Sequence, residues 1–247
     1  MEQNIKSLSQ HIHNFLPNGN YLVCSCGKKI LKLTEIGDRK KGIRSDGRSY
    51  TKKDNVNRFF YPDEYMKFED SLKDKQKHSV KCLINTGARI DELQHVQVRD
   101  FVYNPDGRSR IILRKTKTKR RKGEFGSGKP RDIPLSKPFA KYLFNYIKEN
   151  KLTEESRLNI LSNAALKIAY GKAAKKAGIR DYWNISSHTF RKTLEVWLMA
   201  LGVDSLPLVA HLGHDLRTAA SHYVSPDVFS WEDKKKIRQI IGDLYER

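Results

Sequence analysis

No stretch of the 247-residue chain approaches 18 consecutive apolar residues, so nothing in it reads as a membrane-spanning helix. The opening MEQNIKSLSQ lacks the apolar run of a secretory signal, and a cytoplasmic location is the expectation. Cysteine is scarce and odd in number: Cys24, Cys26 and Cys82 form no paired framework, which fits a reducing compartment. Acidic residues are the minority, 28 Asp+Glu against 48 Lys+Arg, for a formal net charge of +20. An excess of that size favours polyanions and is not what a near-neutral small-molecule enzyme needs. Nucleic acid is the partner the composition points to, with an acidic membrane surface as the alternative. Also missing are a P-loop GxxxxGK[ST], an acidic metal cluster and any internal repeat. Core material is not lacking. At 38% hydrophobic and 10% aromatic residues the chain is a folding sequence, although 31% of it is charged. Its length allows one large or two small domains.

The texture divides the chain into residues 1–57 and 58–247. The first segment contains His11-x-His13, then Cys24-x-Cys26, then a basic, glycine-containing stretch from Arg39 to Lys53 that reads as a loop or linker. Those two histidines and two cysteines offer a four-ligand zinc set, though not at the usual CxxC spacing. The other reading is unligated residues in a small β-rich segment, and no metal is assigned.

Regular periodicity begins near Phe59. Pro62-Asp63-Glu64 opens a predicted helix, with proline in the first turn and acids at the positive end of the dipole, followed by Tyr65, Phe68 and Leu72 at helical spacing. A second helix is predicted over about 76–85, interrupted at Thr86-Gly87 and resuming over about 88–95. VQVRDFVY, the Asn104-Pro105-Asp106-Gly107 turn and RSRIILRK predict a hairpin, and RDIPL a third strand. Further helices are predicted at about 136–149, 162–177, 188–201, 205–212, 216–224 and 231–245, the last with an apolar stripe of Trp231, Ile237, Ile240, Ile241 and Leu244. The fold class is α+β, mainly helical, with one small three-stranded antiparallel sheet and a short N-terminal module. Between the second and third strands, seven of the nine residues from Arg114 to Lys122 are Lys or Arg. That run is either a solvated hairpin tip or a backbone contact for a polyanion.

The chemistry concentrates between Ser186 and Tyr223. Ser187 is the expected N-cap of a helix that carries His188 and Arg191 on one face, with Phe190, Leu194, Trp197, Leu198 and Leu201 as a separate apolar stripe. A helix buried on that one side, with His188 and Arg191 beside its positive end, is an anion site. Each residue alone has a bland reading as a cap or surface group. The series changes that: TGARIDEL at 86–93, His188-x-x-Arg191, Leu212-Gly213-His214, and Tyr223 nine residues later. Two arginines, two histidines, a lysine-rich strand and a tyrosine are what metal-free phosphodiester chemistry requires.

In these motifs, TGARIDEL, HTFRKT, LGHDLRTAASHY and the strand ending RDIPL, the chain resembles the tyrosine recombinase (phage integrase) family over about residues 58–235. The resemblance implies a nucleophile at Tyr223, a phosphate clamp at Arg89 and Arg191, a general acid or base at His188, and a phosphate hydrogen bond from His214. It implies a lysine that protonates the departing 5′-oxygen; Lys115 fits, and Lys117, at the same strand parity, is its rival. Glu92 matches the acidic position that orients or buffers the site. The activity implied is site-specific cleavage and rejoining of double-stranded DNA through a 3′-phosphotyrosine, without metal, ATP or other cofactor. The alternative is type IB topoisomerase-like relaxation; a non-catalytic DNA-binding module is a third reading, disfavoured by the full residue set. Arg114, Lys117, Lys119, Arg120, Arg121 and Lys122 are expected to contact DNA. A homotetramer on paired sites is the implied assembly, its final helix docking on a neighbouring protomer. Relatives carry a longer helical N-terminal clamp domain, from which residues 1–57 depart.

Overall fold

The computed structural model describes residues 58–114, 130–213 and 228–245, together with the backbone of five short strands between residues 15 and 51. Those strands form two antiparallel units. β1 (Phe15–Asn18), β2 (Tyr21–Cys24) and β3 (Lys29–Leu31) make a meander, and β4 (Lys41–Ile43) pairs with β5 (Ser49–Thr51). Cys24 ends β2, while His11, His13 and Cys26 lie outside the described residues.

Among the described residues from 58 onward, the chain is helical around one small sheet. The helices are α1 (Pro62–Asp70), α2 (Asp74–Thr86), α3 (Ile90–Leu93), α4 (Lys137–Glu149), α5 (Asn163–Lys176), α6 (Ser187–Ala200), α7 (Ser205–Leu212) and α8 (Trp231–Ile241). The sheet is β6 (Phe101–Val102), β7 (Arg110–Leu113) and β8 (Arg131–Pro134), antiparallel throughout, with Phe101 opposite Ile111 and Ile111 opposite Ile133. Ile111, Leu113 and Ile133 point into the core, as period-two alternation requires. The predicted hairpin is present, but its first strand is shorter than VQVRDFVY. Val98–Asp100 forms a 3-10 turn instead, because Asp100 reaches back to accept the Gln97 N–H. Likewise α2 begins at Asp74, and the segment expected to be helical over 88–95 is the single turn α3.

The organising element is α6. Against the one-sided amphipathic helix the stripe predicted, every residue from Ser187 to Ala200 except His188 and Met199 is buried. A helix apolar or satisfied all round belongs at the centre of a domain, and α6 packs against α2, α5, α7 and α8. Its cap also differs from expectation. Ser186 is the N-cap, its N–H donating to Thr189 Oγ1 at 2.9 Å. Ser187 is instead inside the helix, and its hydroxyl donates to Asn163 Oδ1 at 2.8 Å. The later helices at 137–149, 163–176 and 205–212 stand where the periodicity put them, while the one expected over 216–224 lies outside the described residues. In α8, Ile237 and Ile241 are buried, with Leu244 just beyond, but Trp231 is 71% exposed and does not join the stripe. α8 packs on α1 and α6 of its own chain.

The segment entering the helical domain at residues 58–61 is stitched to α6 by its backbone. Phe60 N–H donates to Thr193 Oγ1 at 3.0 Å, and Phe60 carbonyl accepts the Trp197 indole N–H at 2.9 Å. The Phe60 ring lies 5.5 Å from that of Phe190 and 5.0 Å from that of Phe68. Buried Arg58 donates to Glu64 at 2.7 Å and to Asp181 at 2.6 Å. Trp197→Phe keeps most of the packing but leaves the buried Phe60 carbonyl without its donor, and is expected to cost about 1–3 kcal/mol in urea unfolding. Trp197→Ala adds a cavity, for about 3–5 kcal/mol. Equal midpoints for wild type and Trp197→Phe would show that the indole bond contributes nothing.

Candidate active site

Three elements converge at Gly87. The residue ends α2 in the left-handed conformation, φ 58°, with its N–H donating to Leu83 carbonyl at 2.9 Å. A side chain there would be strained by that backbone and would press on Leu212 of α7 and Leu194 of α6. Glycine therefore lets α2, α6 and α7 meet closely, and two residues later comes Arg89.

Arg89 starts α3. Its backbone N–H donates to Glu92 Oε2 and its Nη1 to Glu92 Oε1, both at 2.9 Å. Glu92 is 4% exposed and takes a third bond, from Arg131 Nη2 at 3.0 Å. Burial alone would push its carboxyl up. The Arg89 N–H bond and the charges of Arg131 and Arg89 outweigh burial and hold it below the ordinary carboxylate value. Glu92 thus orients the site as an ionised anchor.

Arg191, on the first turns of α6, is 4% exposed, and among the described residues no carboxylate hydrogen-bonds to it. Its Nη1 donates to Gly87 carbonyl at 2.8 Å and its Nη2 to Leu212 carbonyl. Burial, with Arg89 and Arg131 nearby, pushes the guanidinium down to about 10, so it stays charged at neutral pH. Arg131 is lowered by burial in the same way, Glu92 only partly compensating. Among the described residues, three guanidiniums against Glu92, with Glu195 acting on Arg191 through charge alone, leave a local excess of positive charge.

That excess faces a cleft of about 270 Å³ lined by Ala88, Arg89, Ile90, Asn163, Ser186, Ser187, His188 and Arg191. The cleft opens at the N-terminal end of α6, where the helix dipole adds to the positive field. His188 is exposed at the second residue of that helix. Of the six residues expected to do the chemistry, the structure brings Arg89, His188 and Arg191 together. Lys115, His214 and Tyr223 lie outside the described residues, as do Lys117, Lys119, Arg120, Arg121 and Lys122. Arg114 follows β7, its side chain 58% exposed and its Nε paired with buried Asp100.

Two site residues, Arg131 and His211, escaped the sequence reading. Arg131 opens β8, and only the sheet's register carries it to Glu92. Gly213, at φ 64°, caps α7 directly over the Arg131 guanidinium, where a Cβ would overlap it. His211 sits on the buried side of α7, its Nε2 2.9 Å from Thr86 carbonyl. Its position between Leu208 and Leu212 on an apolar face was the available signal.

Residues 50–228 match a family model, that of the phage integrase family. The chain belongs to the phage integrase family. A comparison with curated proteins returned no match. Among solved structures, the phage integrase fold seen here is similar to that of XerH site-specific recombinase bound to difH substrate, with a TM-score of 0.52 and 21% identity over 74% of this chain and 56% of that one. XerA recombinase gives 0.53 and 18% over 75% and 63%. The Tn1549 transposon integrase in complex with transposon right end DNA gives 0.51 and 17% over 79% and 69%. At these identities the likeness is one of fold. The chain spans under two thirds of the length of the two recombinases. Among the described residues, no helix is long and apolar enough to cross a membrane.

Removing the anchor charge tests this arrangement. Glu92→Gln leaves Arg131 buried without its counter-charge and is expected to lower stability by about 3–5 kcal/mol at neutral pH. Because the folded carboxyl value is depressed, the wild-type advantage is complete above pH 4.5 and is lost as pH falls through the folded value. Urea titrations of both proteins from pH 7 to about 3 read this directly. A gap that does not narrow in acid would mean that Glu92 is not held ionised.

Proposed function

We propose that this chain is a site-specific recombinase that cleaves and rejoins double-stranded DNA through a 3′-phosphotyrosine at Tyr223, with neither metal nor nucleotide taking part. The observation that carries the reading is the cleft at the start of α6, where Arg89, anchored by Glu92, stands with Arg191, whose guanidinium is held by backbone carbonyls, and His188 lies beside them. Membership of the phage integrase family and the site-specific recombinase activity of the XerH neighbour support it. Residues 58–247 act as the catalytic domain in this reading, and 1–57 as a separate module.

In the first step the Tyr223 oxygen attacks the scissile phosphorus and its proton passes to a base, the role given to His188. A phenol with an ordinary value of about 10 needs such a neighbour at neutral pH. As the fifth oxygen joins phosphorus, Arg89 and Arg191 hold the non-bridging oxygens in a fixed fork, and His214 donates a further hydrogen bond. The P–O5′ bond breaks, and the 5′-oxygen takes its proton from Lys115, with Lys117 the other candidate. A phosphodiester has been exchanged for a phosphodiester, so the bond energy is retained. The 5′-hydroxyl of a partner strand then attacks the phosphotyrosine and releases Tyr223. Two duplexes held by a tetramer supply that partner strand. Arg114 and the 117–122 lysines and arginines bind the DNA backbone outside the cleft, so binding falls with salt while cleavage of bound DNA does not.

A nicked suicide duplex carrying the target site tests the reading, with covalent adduct scored on a denaturing gel. Wild type is expected to accumulate adduct without added metal and in chelator. Tyr223→Phe is expected to bind DNA normally and form none; adduct in that variant would remove Tyr223 as nucleophile. Arg191→Lys, which cannot make the same fork, is expected to slow adduct formation by about 10²–10³-fold. Strand exchange between two duplexes marks a recombinase, whereas relaxation of supercoils without exchange would point to the topoisomerase-like alternative.

A further inference from the structure

The turn between α2 and α3 is held peptide by peptide. Thr86 ends a helix whose last carbonyls the helix itself cannot satisfy. The first peptide unit after it has its N–H, on Gly87, bonded to Leu83 carbonyl and its C=O, on Thr86, accepting His211 Nε2 at 2.9 Å. The next has Gly87 carbonyl on Arg191 Nη1 and Ala88 N–H on Thr86 Oγ1. The third places Arg89 N–H on Glu92. His211 therefore closes the first link of the chain that sets both Arg89 and the anchor of Arg191.

Its ring is itself oriented. A carbonyl can only accept, so Nε2 carries the proton, and Nδ1, 3.0 Å from the Tyr245 oxygen, accepts that hydroxyl. Burial, helped by Arg131 and Arg191 and opposed by the Thr86 bond, pushes the imidazole down to about 4, so the neutral form persists at working pH. Tyr245 is delivered by the segment after α8, where Asp243 Oδ1 accepts Lys137 N–H at the start of α4, 2.8 Å away. A leucine could fill the volume of His211. It could not donate to Thr86.

We propose that His211 is a positioning residue for strand cleavage: held by Tyr245, it fixes the Thr86–Gly87 turn on which Arg89 and Arg191 both depend. This rests on the cleavage reaction assigned above.

The test uses the full chain and the same nicked duplex, with adduct formation followed at saturating DNA and DNA affinity measured separately, well below each variant's melting temperature. His211→Leu is expected to slow adduct formation about 10–100-fold with Kd within about threefold of wild type, since a displacement of about 1 Å at a catalytic group costs that much. His211→Gln, whose amide N–H can reach the Thr86 carbonyl, is expected to recover most of the rate. Tyr245→Phe, which deletes one hydroxyl and carries the test if His211→Leu fails to fold, is expected to fall between wild type and His211→Leu. A His211→Leu enzyme that melts earlier but cleaves at the wild-type rate would reduce His211 to packing, and a glutamine variant as slow as leucine would remove the N–H bond from the account. Hydrogen exchange gives a readout that needs no cleavage. Amides from Gly87 to Arg89 are expected to exchange faster in His211→Leu while those of α6 do not; unchanged exchange overturns the proposal. A wild-type chain that forms no adduct overturns the reaction, and the exchange data still decide whether His211 holds the turn.

Discussion

A buried positive charge has to be held in place without being cancelled, and the rest of this site follows from how that is done. Arg58 and Arg191 are both buried, yet they solve opposite problems. Arg58 is matched by two carboxylates, Glu64 and Asp181, and its guanidinium is held above the ordinary value. Arg191 is fixed by two backbone carbonyls and lies well below it. Carbonyl dipoles set the direction of the fork but leave its charge available. Among the described residues Glu92 is the carboxylate bonded into this group of three arginines, and it anchors Arg89 and Arg131 rather than Arg191, which feels Glu195 through charge without a hydrogen bond. A carboxylate bonded directly to Arg191 would stabilise the protein and disarm the cleft.

Such an arrangement needs a rigid frame, because electrostatic stabilisation of a transition state depends on groups that do not reorganise. The frame is α6, buried along almost its whole length and stitched to the entry segment through Phe60, Thr193 and Trp197. Two glycines bring the other elements close enough. Gly87 admits Leu194 and Leu212, and Gly213 admits the Arg131 guanidinium beneath it. The glycine of the Leu212-Gly213-His214 motif thus has a packing reason besides its left-handed turn.

Much of this was legible in the sequence. Helix spacing located α4, α5, α7 and α8 closely, and the Thr86-Gly87 break and the hairpin turn at Asn104-Pro105-Asp106-Gly107 stand where glycine and turn chemistry put them. The motif series placed Arg89, His188 and Arg191 in one site because each sits at an element's end, where local sequence dictates geometry. Residues whose role depends on another element were not legible. Arg131 meets Glu92 through strand register, and His211 meets Thr86 through the packing of α7 on α2, neither of which a local pattern encodes. The complete burial of α6 was missed for a related reason. Its polar positions Thr193 and Arg191 look solvent-facing on a helical projection, yet each is satisfied internally by groups distant in the chain.

In the proposed reaction Arg191 is kept charged, without a carboxylate bonded to it, in order to neutralise a phosphodiester in the transition state. Replacing one non-bridging oxygen of the scissile phosphate by a methyl group removes the charge while keeping the phosphorus centre. Adduct formation on this methylphosphonate and on the ordinary phosphate, compared between wild type and Arg191→Ala, isolates that contribution. The deficit of Arg191→Ala should be large on the phosphate and much smaller on the neutral substrate. An equal deficit on both would mean that Arg191 serves geometry alone, and would contradict the claim.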